Sequence, residues 1–380
     1  MSKEKKIIKT EQDLQDILKK VHVNGNYLRL SDHQFDCDVQ LTGMLQVHLH
    51  DCIFNGYFAL RGEIATDVIF KNVEFNKQAD FSNYRFLRNV RFHGCAFNEV
   101  VKFNNTKFEA LADFFGSTFK KNTIFYKTDF LDRTVFSATT FNANALFTFS
   151  LIKDHLILRG ATFNAGLDLS LCIFSGSINV FNIKVSNYEA IADIGDEFDY
   201  EKAISEDGNI PHKNKRETFR ILKKELQNQG NTIDALTMAA LEKIAYQEQL
   251  KSDAIVKKGK WSRRSQNRFI LFLGKISNSH GESWTIGVAF TLLVGLLFFY
   301  LLLISTETYY FTLNPENFAW QSFLTNSNYY FEFLLPTHDV DFVDTLKPEY
   351  FFAFWDFMGR IFVSFGIYQT VVAFRKFHSK

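Results

Sequence analysis

A phenylalanine recurs every five or six residues through the middle of this chain, at Phe70, Phe75, Phe81, Phe86, Phe92, Phe97, Phe103, Phe108, Phe114, Phe119, Phe125, Phe130, Phe136, Phe141 and Phe147. The intervals alternate, so the true period is eleven residues. Neither an α-helix nor an open hairpin sheet asks for a bulky apolar residue at that interval. A chain winding round a fixed axis does, because each face of every coil turns one large side chain inward. The residues two before these phenylalanines are mostly small or β-branched: Ala79, Val90, Cys95, Val101, Thr106, Ala112, Ser117, Thr123, Thr128, Thr134, Thr139 and Ala145. The pattern predicts a parallel β-solenoid.

The small-x-Phe arithmetic is that of a pentapeptide-like, right-handed parallel β-helix with an extra residue in alternate units. Four faces make a coil of about 22 residues, and six to seven coils at ~4.8 Å each give a rod roughly 30 Å long. The repeat is expected over residues 41–185, ragged before Ile64 and after Phe147. Beyond Phe147 it continues through Ile152, Leu158, Phe163, Leu169, Phe174 and Val180. Residues 1–40 are expected to cap its first coil, since an open end exposes apolar core and unpaired strand edges. Thr10 and Asp13 resemble a capping box, and Leu14, Ile17 and Leu18 give the stripe of a short helix.

Charge narrows the function. The net formal charge is +1, and residues 41–185 carry 15 basic against 12 acidic side chains. The acidic face that a DNA-mimicking solenoid needs is missing, and nucleic acid is not an expected partner. Cys37, Cys52, Cys95 and Cys172 have no framework spacing. Three of them precede an inward Phe by two, where a thiol behaves as a small apolar group in a reducing compartment. The N-terminal stretch lacks the apolar run of a signal peptide.

Residues 186–212 are acidic and aperiodic and are expected to be a linker. Helical spacing follows on two arms, Phe219, Leu222 and Leu226, then Ile233, Leu236, Ala240 and Ile244, broken at Gly230–Asn231. This predicts a helical hairpin over 213–251, which needs another surface to bury its face. Residues 252–283 are basic and contain Trp261 and the run Phe269–Leu273, the composition of an interfacial helix.

Residues 284–304 contain no charge and are long enough to cross about 30 Å of hydrocarbon. Residues 350–374 are apolar and aromatic but carry Asp356, Arg360 and Gln369. Lysines and arginines precede the first span and follow the second, whereas 305–349 is acidic but for Lys347. The positive-inside rule places both termini, including the tail 375–380, in the cytoplasm and 305–349 outside.

Three stretches, KRETFRILKKELQNQGNTIDAL (215–236), FLGKISNSHGESW (272–284) and SFGIYQTVVAFRKF (364–377), together with the repeat, resemble a family of bacterial membrane proteins. Its members join pentapeptide-like repeats to a helical hairpin and a C-terminal pair of transmembrane helices. The resemblance implies an ion-channel-like membrane region, an analogy from topology alone.

Residues 314–337 are either a re-entrant segment lining a pore or an aromatic loop at the outer headgroup level. They contain no glycine and nothing like a potassium-channel filter. An outer acidic ring of Glu332, Asp339 and Asp341 is the candidate selectivity element. Asp356 and Arg360 stand one helical turn apart and are expected to pair. They mark either a subunit interface or pore mouth, or a pair that lowers the cost of insertion. Gln369 reads as interhelical glue, and Gly287, Gly295, Gly359 and Gly366 as sites of close helix approach. His48, His50 and Cys52, with Cys37 upstream, have ligand-like spacing. Alternation turns both histidines outward and Cys52 inward, which argues against a metal site, and His338 with Asp339 and Asp341 is no better. No catalytic motif is present, and neither enzyme activity nor a cofactor is expected. The expectation is an oligomeric membrane protein passing an ion, whose β-helix senses a cytoplasmic protein or small molecule and whose spans contact lipid. Its alternatives are a membrane-tethered scaffold and a membrane-perturbing effector, for example in phage defence.

Overall fold

The eleven-residue period has a backbone cause. Asn72, Asn83, Gly94, Asn105, Gly116, Lys127, Ala138, Phe149 and Gly160 all have left-handed φ, between 52° and 66°. Each stands two residues after an inward side chain and turns the chain through a corner. Left-handed φ is easiest for glycine and asparagine, which occupy six of these nine corners. In the computed structural model, which describes residues 5–23, 27–42, 46–256, 263–307, 324, 327–339, 347–348 and 351–375, these corners join four parallel sheets. The sheets hold nine, eight, seven and six strands, and the solenoid has about seven coils.

From Val68 onward the register between neighbouring coils is a constant 22 residues: Phe75 pairs with Phe97, Phe97 with Phe119 and Phe141 with Phe163. It stays so after Phe147, where Leu151 pairs with Ile173 and Phe163 with Val185. The raggedness there is one of residue identity and not of winding. Before Ile64 the winding itself changes. Tyr27 pairs with Gln46 and Val39 with Phe58, nineteen residues on, and Val47 pairs with Val68, twenty-one on. Coiling therefore begins well inside residues 1–40, where only a cap was expected. The shorter coils hid it from a search for a fixed period. The cap proper is helix α1, Glu11–Val23, with the strand Lys6–Ile8 beside it. Its box is reciprocal: Asp13 N donates to Thr10 Oγ1 at 3.2 Å and Thr10 N to Asp13 Oδ2 at 3.1 Å.

All fifteen phenylalanines of the ladder are buried. They stack in columns at about the strand spacing, with Phe75 and Phe97 at 4.9 Å and 3° and Phe108 and Phe130 at 5.0 Å and 1°. The small slots are buried too, and four of their hydroxyls reach back one coil. Thr106, Ser117, Thr128 and Thr139 donate to the carbonyls of Phe81, Phe92, Phe103 and Phe114 at 2.6–2.8 Å. Cys52 and Cys95 fill the same slots, and all four cysteines are free. Burial pushes the Cys95 thiol up to about 12, so it is an inert core group.

The acidic stretch after the solenoid is not wholly irregular. Helix α2, Glu197–Ser205, begins where Asp196 accepts a hydrogen bond from Asp199 N at 3.0 Å. The signal was legible: an aspartate cap, then Glu197 and Asp199 in the first turn. Helix α3, His212–Asn228, closes the solenoid by supplying groups that a further coil would have supplied. Thr218 Oγ1 accepts from Leu169 N at 2.9 Å, and Asn214 Nδ2 donates to the buried Asp168 at 2.9 Å. Lys215 is fully buried and pairs with Glu248 of helix α4, Thr232–Val256. Breaking such a pair leaves an uncompensated charge in the core. Gly230, at φ 73°, ends α3.

The chain divides into two compact units, Met1–Asn231 with Ile244–Lys258, and Thr232–Lys243 with Gly259–Lys380. The second unit is helical. It contains α5 (Arg263–Asn278), α6 (Trp284–Leu303), the short α7 (Tyr329–Phe333) and α8 (Phe352–Phe374).

Candidate functional site

α6 and α8 are each long and apolar enough to cross a membrane. Twenty residues at 1.5 Å each give α6 about 30 Å, and Ser283 caps it through Ile286 N. The two helices approach closely because each presents glycine to the other. A Cβ on Gly287 would lie 2.7 Å from Thr370 Oγ1, and one on Gly366 2.4 Å from Thr291 Oγ1. Gly359 faces Phe333, with Phe298 beside it, and Gly295 faces Leu334. All four glycines named from the sequence serve packing within one chain. The faces turned away remain apolar and exposed, with Leu293, Leu297, Phe354, Phe357 and Ile361 on them.

α7 lies against the middle of α6. The Tyr330 hydroxyl donates to the Leu292 carbonyl at 2.6 Å. Leu292 is eight residues into α6, roughly 12 Å along its axis. Phe333 is buried against Phe299 and under Gly359, in a cluster with Phe298, Leu302 and Val363. Residues 327–339 thus run alongside the two long helices and not only at their ends. Of the stretch 314–337, residues 314–323 and 325–326 lie outside the described residues.

The backbone leaving α7 must be satisfied without water if it lies at membrane depth. Arg360 does much of this. Its guanidinium donates to the carbonyls of His338 at 2.9 Å and Pro336 at 3.3 Å, and its Nε donates to Asp356 Oδ2 at 2.8 Å. Asp356 Oδ1 meets His338 Nε2 at 2.8 Å, and His338 Nδ1 meets the Leu335 carbonyl at 2.7 Å. Both ring nitrogens thus have a partner inside the chain. Asp356 and Arg360 pair as their spacing implied, and they also clamp the turn after α7 to α8. The role of His338 was not legible. Its partner is eighteen residues downstream, not the adjacent Asp339.

The other sequence candidates fall elsewhere. Glu332 and Asp339 are exposed, and Asp341 lies outside the described residues. Gln369 accepts from Asn278 Nδ2 through its side chain at 2.6 Å and its backbone carbonyl at 3.0 Å, tying α8 to the end of α5. α5 is amphipathic, with Phe269, Ile270, Phe272 and Ile276 exposed beside Arg268 and Lys275. Lys257, Lys258, Lys260 and Trp261 lie outside the described residues. On the solenoid, His48 points outward and meets the Tyr27 hydroxyl at 2.8 Å. Among the described residues no group of three metal-ligating side chains converges.

No protein-family model, no curated protein and no solved structure matches this chain.

Proposed function

We propose that this chain is one subunit of a pore-type assembly in a bacterial inner membrane, with the β-helix as its cytoplasmic receiver for a protein or small-molecule signal. The observation that supports the reading is α7, a half-helix laid beside the middle of α6 and clamped to α8 by Arg360. Non-helical backbone at membrane depth is tolerated where protein buries it or where it lines water. Rings of charged side chains can set the selectivity of such a path. Glu332 and Asp339 are the charged groups of this segment left exposed, and they are the residues that would meet a permeant cation.

The test is single-channel recording from purified protein in planar bilayers. Discrete openings are expected, and Glu332→Gln should lower cation conductance or selectivity, since this exposed side chain can be neutralised without touching the core. Openings unchanged in both Glu332→Gln and Asp339→Asn would remove the acidic ring from the path. Silence across lipids and voltages, from protein that stays monomeric in detergent, would end the pore reading.

A second reading has its own observation. The Asp356 and Arg360 charges pair inside the chain, His338 hydrogen-bonds Asp356, and the outer faces of both helices are apolar, as an inert anchor requires. On that reading the solenoid is a tethered docking surface. Exchanging both spans for an unrelated anchor would leave its function intact.

A further inference from the structure

A cavity of about 290 Å³ lies in the helical unit among α5, the turn Ser279–Gly281 and the last third of α8. Its wall is mainly apolar, from Leu271, Leu273, Phe365 and Val372. Two basic side chains also line it. Lys243 donates to the His280 carbonyl at 3.2 Å, and His280 is 93% buried with no hydrogen-bond partner at Nε2. Burial, with Lys243 and Lys275 nearby, pulls the imidazole down to about 4, so it is uncharged at neutral pH. Ser279 and His280 are successive non-glycine residues in left-handed conformation, at φ 54° and 62°. Strain of this kind persists where the surroundings hold it, and it gathers at ligand clamps.

The level of the cavity narrows the ligand. It sits immediately before the cap of α6 and within ten residues of the C-terminal end of α8, at one end of both spans. The exposed apolar face of α5, flanked by Arg268 and Lys275, is an interfacial helix at the same end. A volume of this size holds about ten groups as large as a water molecule, enough for a phosphate and a short stretch of acyl chain. We propose that the cavity seats one anionic phospholipid, its phosphate between Lys243 and His280 and its chain among the apolar walls. Basic pockets at the cytoplasmic ends of membrane helices bind anionic headgroups for the same electrostatic reason. The inference rests on α6 and α8 being spans, and it does not need ions to pass.

The test is thermal unfolding of the full chain in neutral detergent, titrated with dioleoyl phosphatidylglycerol, dioleoyl phosphatidylcholine or inorganic phosphate. The anionic lipid should raise Tm saturably, and the other two should not. Lys243→Gln should raise the half-saturating lipid concentration about five-fold, the effect of one interfacial lysine. Gly274→Leu should abolish the response by filling the cavity, since a Cβ there already lies 3.3 Å from His280 Nδ1. If that variant does not fold, Lys243→Gln decides alone. Equal stabilisation by phosphatidylcholine would overturn the headgroup site, and equal stabilisation by phosphate would replace the lipid with a free anion. An unchanged lipid dose in Lys243→Gln would overturn the placement. A lipid response without channel current would leave this inference standing while the pore reading fails.

Discussion

Phenylalanine is used in opposite ways by the two units. In the solenoid it is the interior, and Phe103 has stacked neighbours in Phe81 and Phe125 at 5.0 and 4.9 Å and no exposure. In the helical unit much of it is exterior, and Phe351, Phe354 and Phe357 are about half exposed or more on α8 and its cap. One arrangement sorts residues by distance from a coil axis, and the other by which face of a long apolar helix is turned outward. A period is therefore visible in the first and only a composition in the second.

The largest effect should come from truncating the ladder. Phe103→Ala should cost about 3–5 kcal/mol in denaturant unfolding followed by far-UV circular dichroism, because stacked rings above and below prevent collapse. Phe357→Ala should change stability in detergent by less than about 0.5 kcal/mol. Equal costs would mean that α8 buries Phe357 against another subunit, which would sharpen the oligomer reading.

A smaller contrast separates two buried threonines. Thr128 Oγ1 reaches a carbonyl one coil away, that of Phe103 at 2.6 Å, whereas Thr291 Oγ1 bonds the Gly287 carbonyl of its own helix at 2.8 Å. Thr128→Val should cost about 1–2 kcal/mol by removing an inter-coil bond in a dry core. Thr291→Val keeps the shape and loses a bond to a carbonyl that the helix already uses, so the change should be within about 0.5 kcal/mol. Similar losses at both sites would show that the slot hydroxyls fill space and do not tie coils together.

These contrasts match what was legible. The ladder and its small slots follow from one period, since every coil from Val68 onward repeats the same geometry, and the outward His48 and His50 follow from strand alternation. Coils of nineteen and twenty-one residues before Val68 broke that period, so the solenoid begins earlier than its phenylalanines announce. In the helical unit the two long apolar helices, the Asp356–Arg360 pair and the four glycines were readable because helical spacing is local. The clamp on the turn after α7 was not, since Arg360 binds carbonyls, which leave no mark in a sequence. His338 likewise carries no sign of a partner eighteen residues away. The cavity at His280 is assembled from α4, α5 and α8, and no short motif encodes it.

Acid should separate the units most finely. Desolvation holds His280 in the helical unit at about 4, below its ordinary 6.5, with Lys243 and Lys275 adding to the shift. A base whose folded value is depressed stabilises the fold above 6.5 and loses that stability as pH falls toward 4. In the solenoid, burial raises the Asp80 carboxyl, but hydrogen bonds from Arg61, Ser82 and Tyr57 outweigh it and hold it at about 2. Its contribution is complete above 3.8 and is lost only as pH falls through about 2. Between pH 7 and pH 5, then, the helical unit should lose on the order of 2 kcal/mol while Asp80 contributes nothing to the change. The four tryptophans, Trp261, Trp284, Trp320 and Trp355, all follow the solenoid in sequence, so their fluorescence does not report on its coils. Their unfolding transition should move to lower temperature at pH 5, and His280→Phe should flatten that dependence. A transition that stays put in the native protein would mean that His280 already shares its proton with water, and the cavity beside it would then be an open cleft.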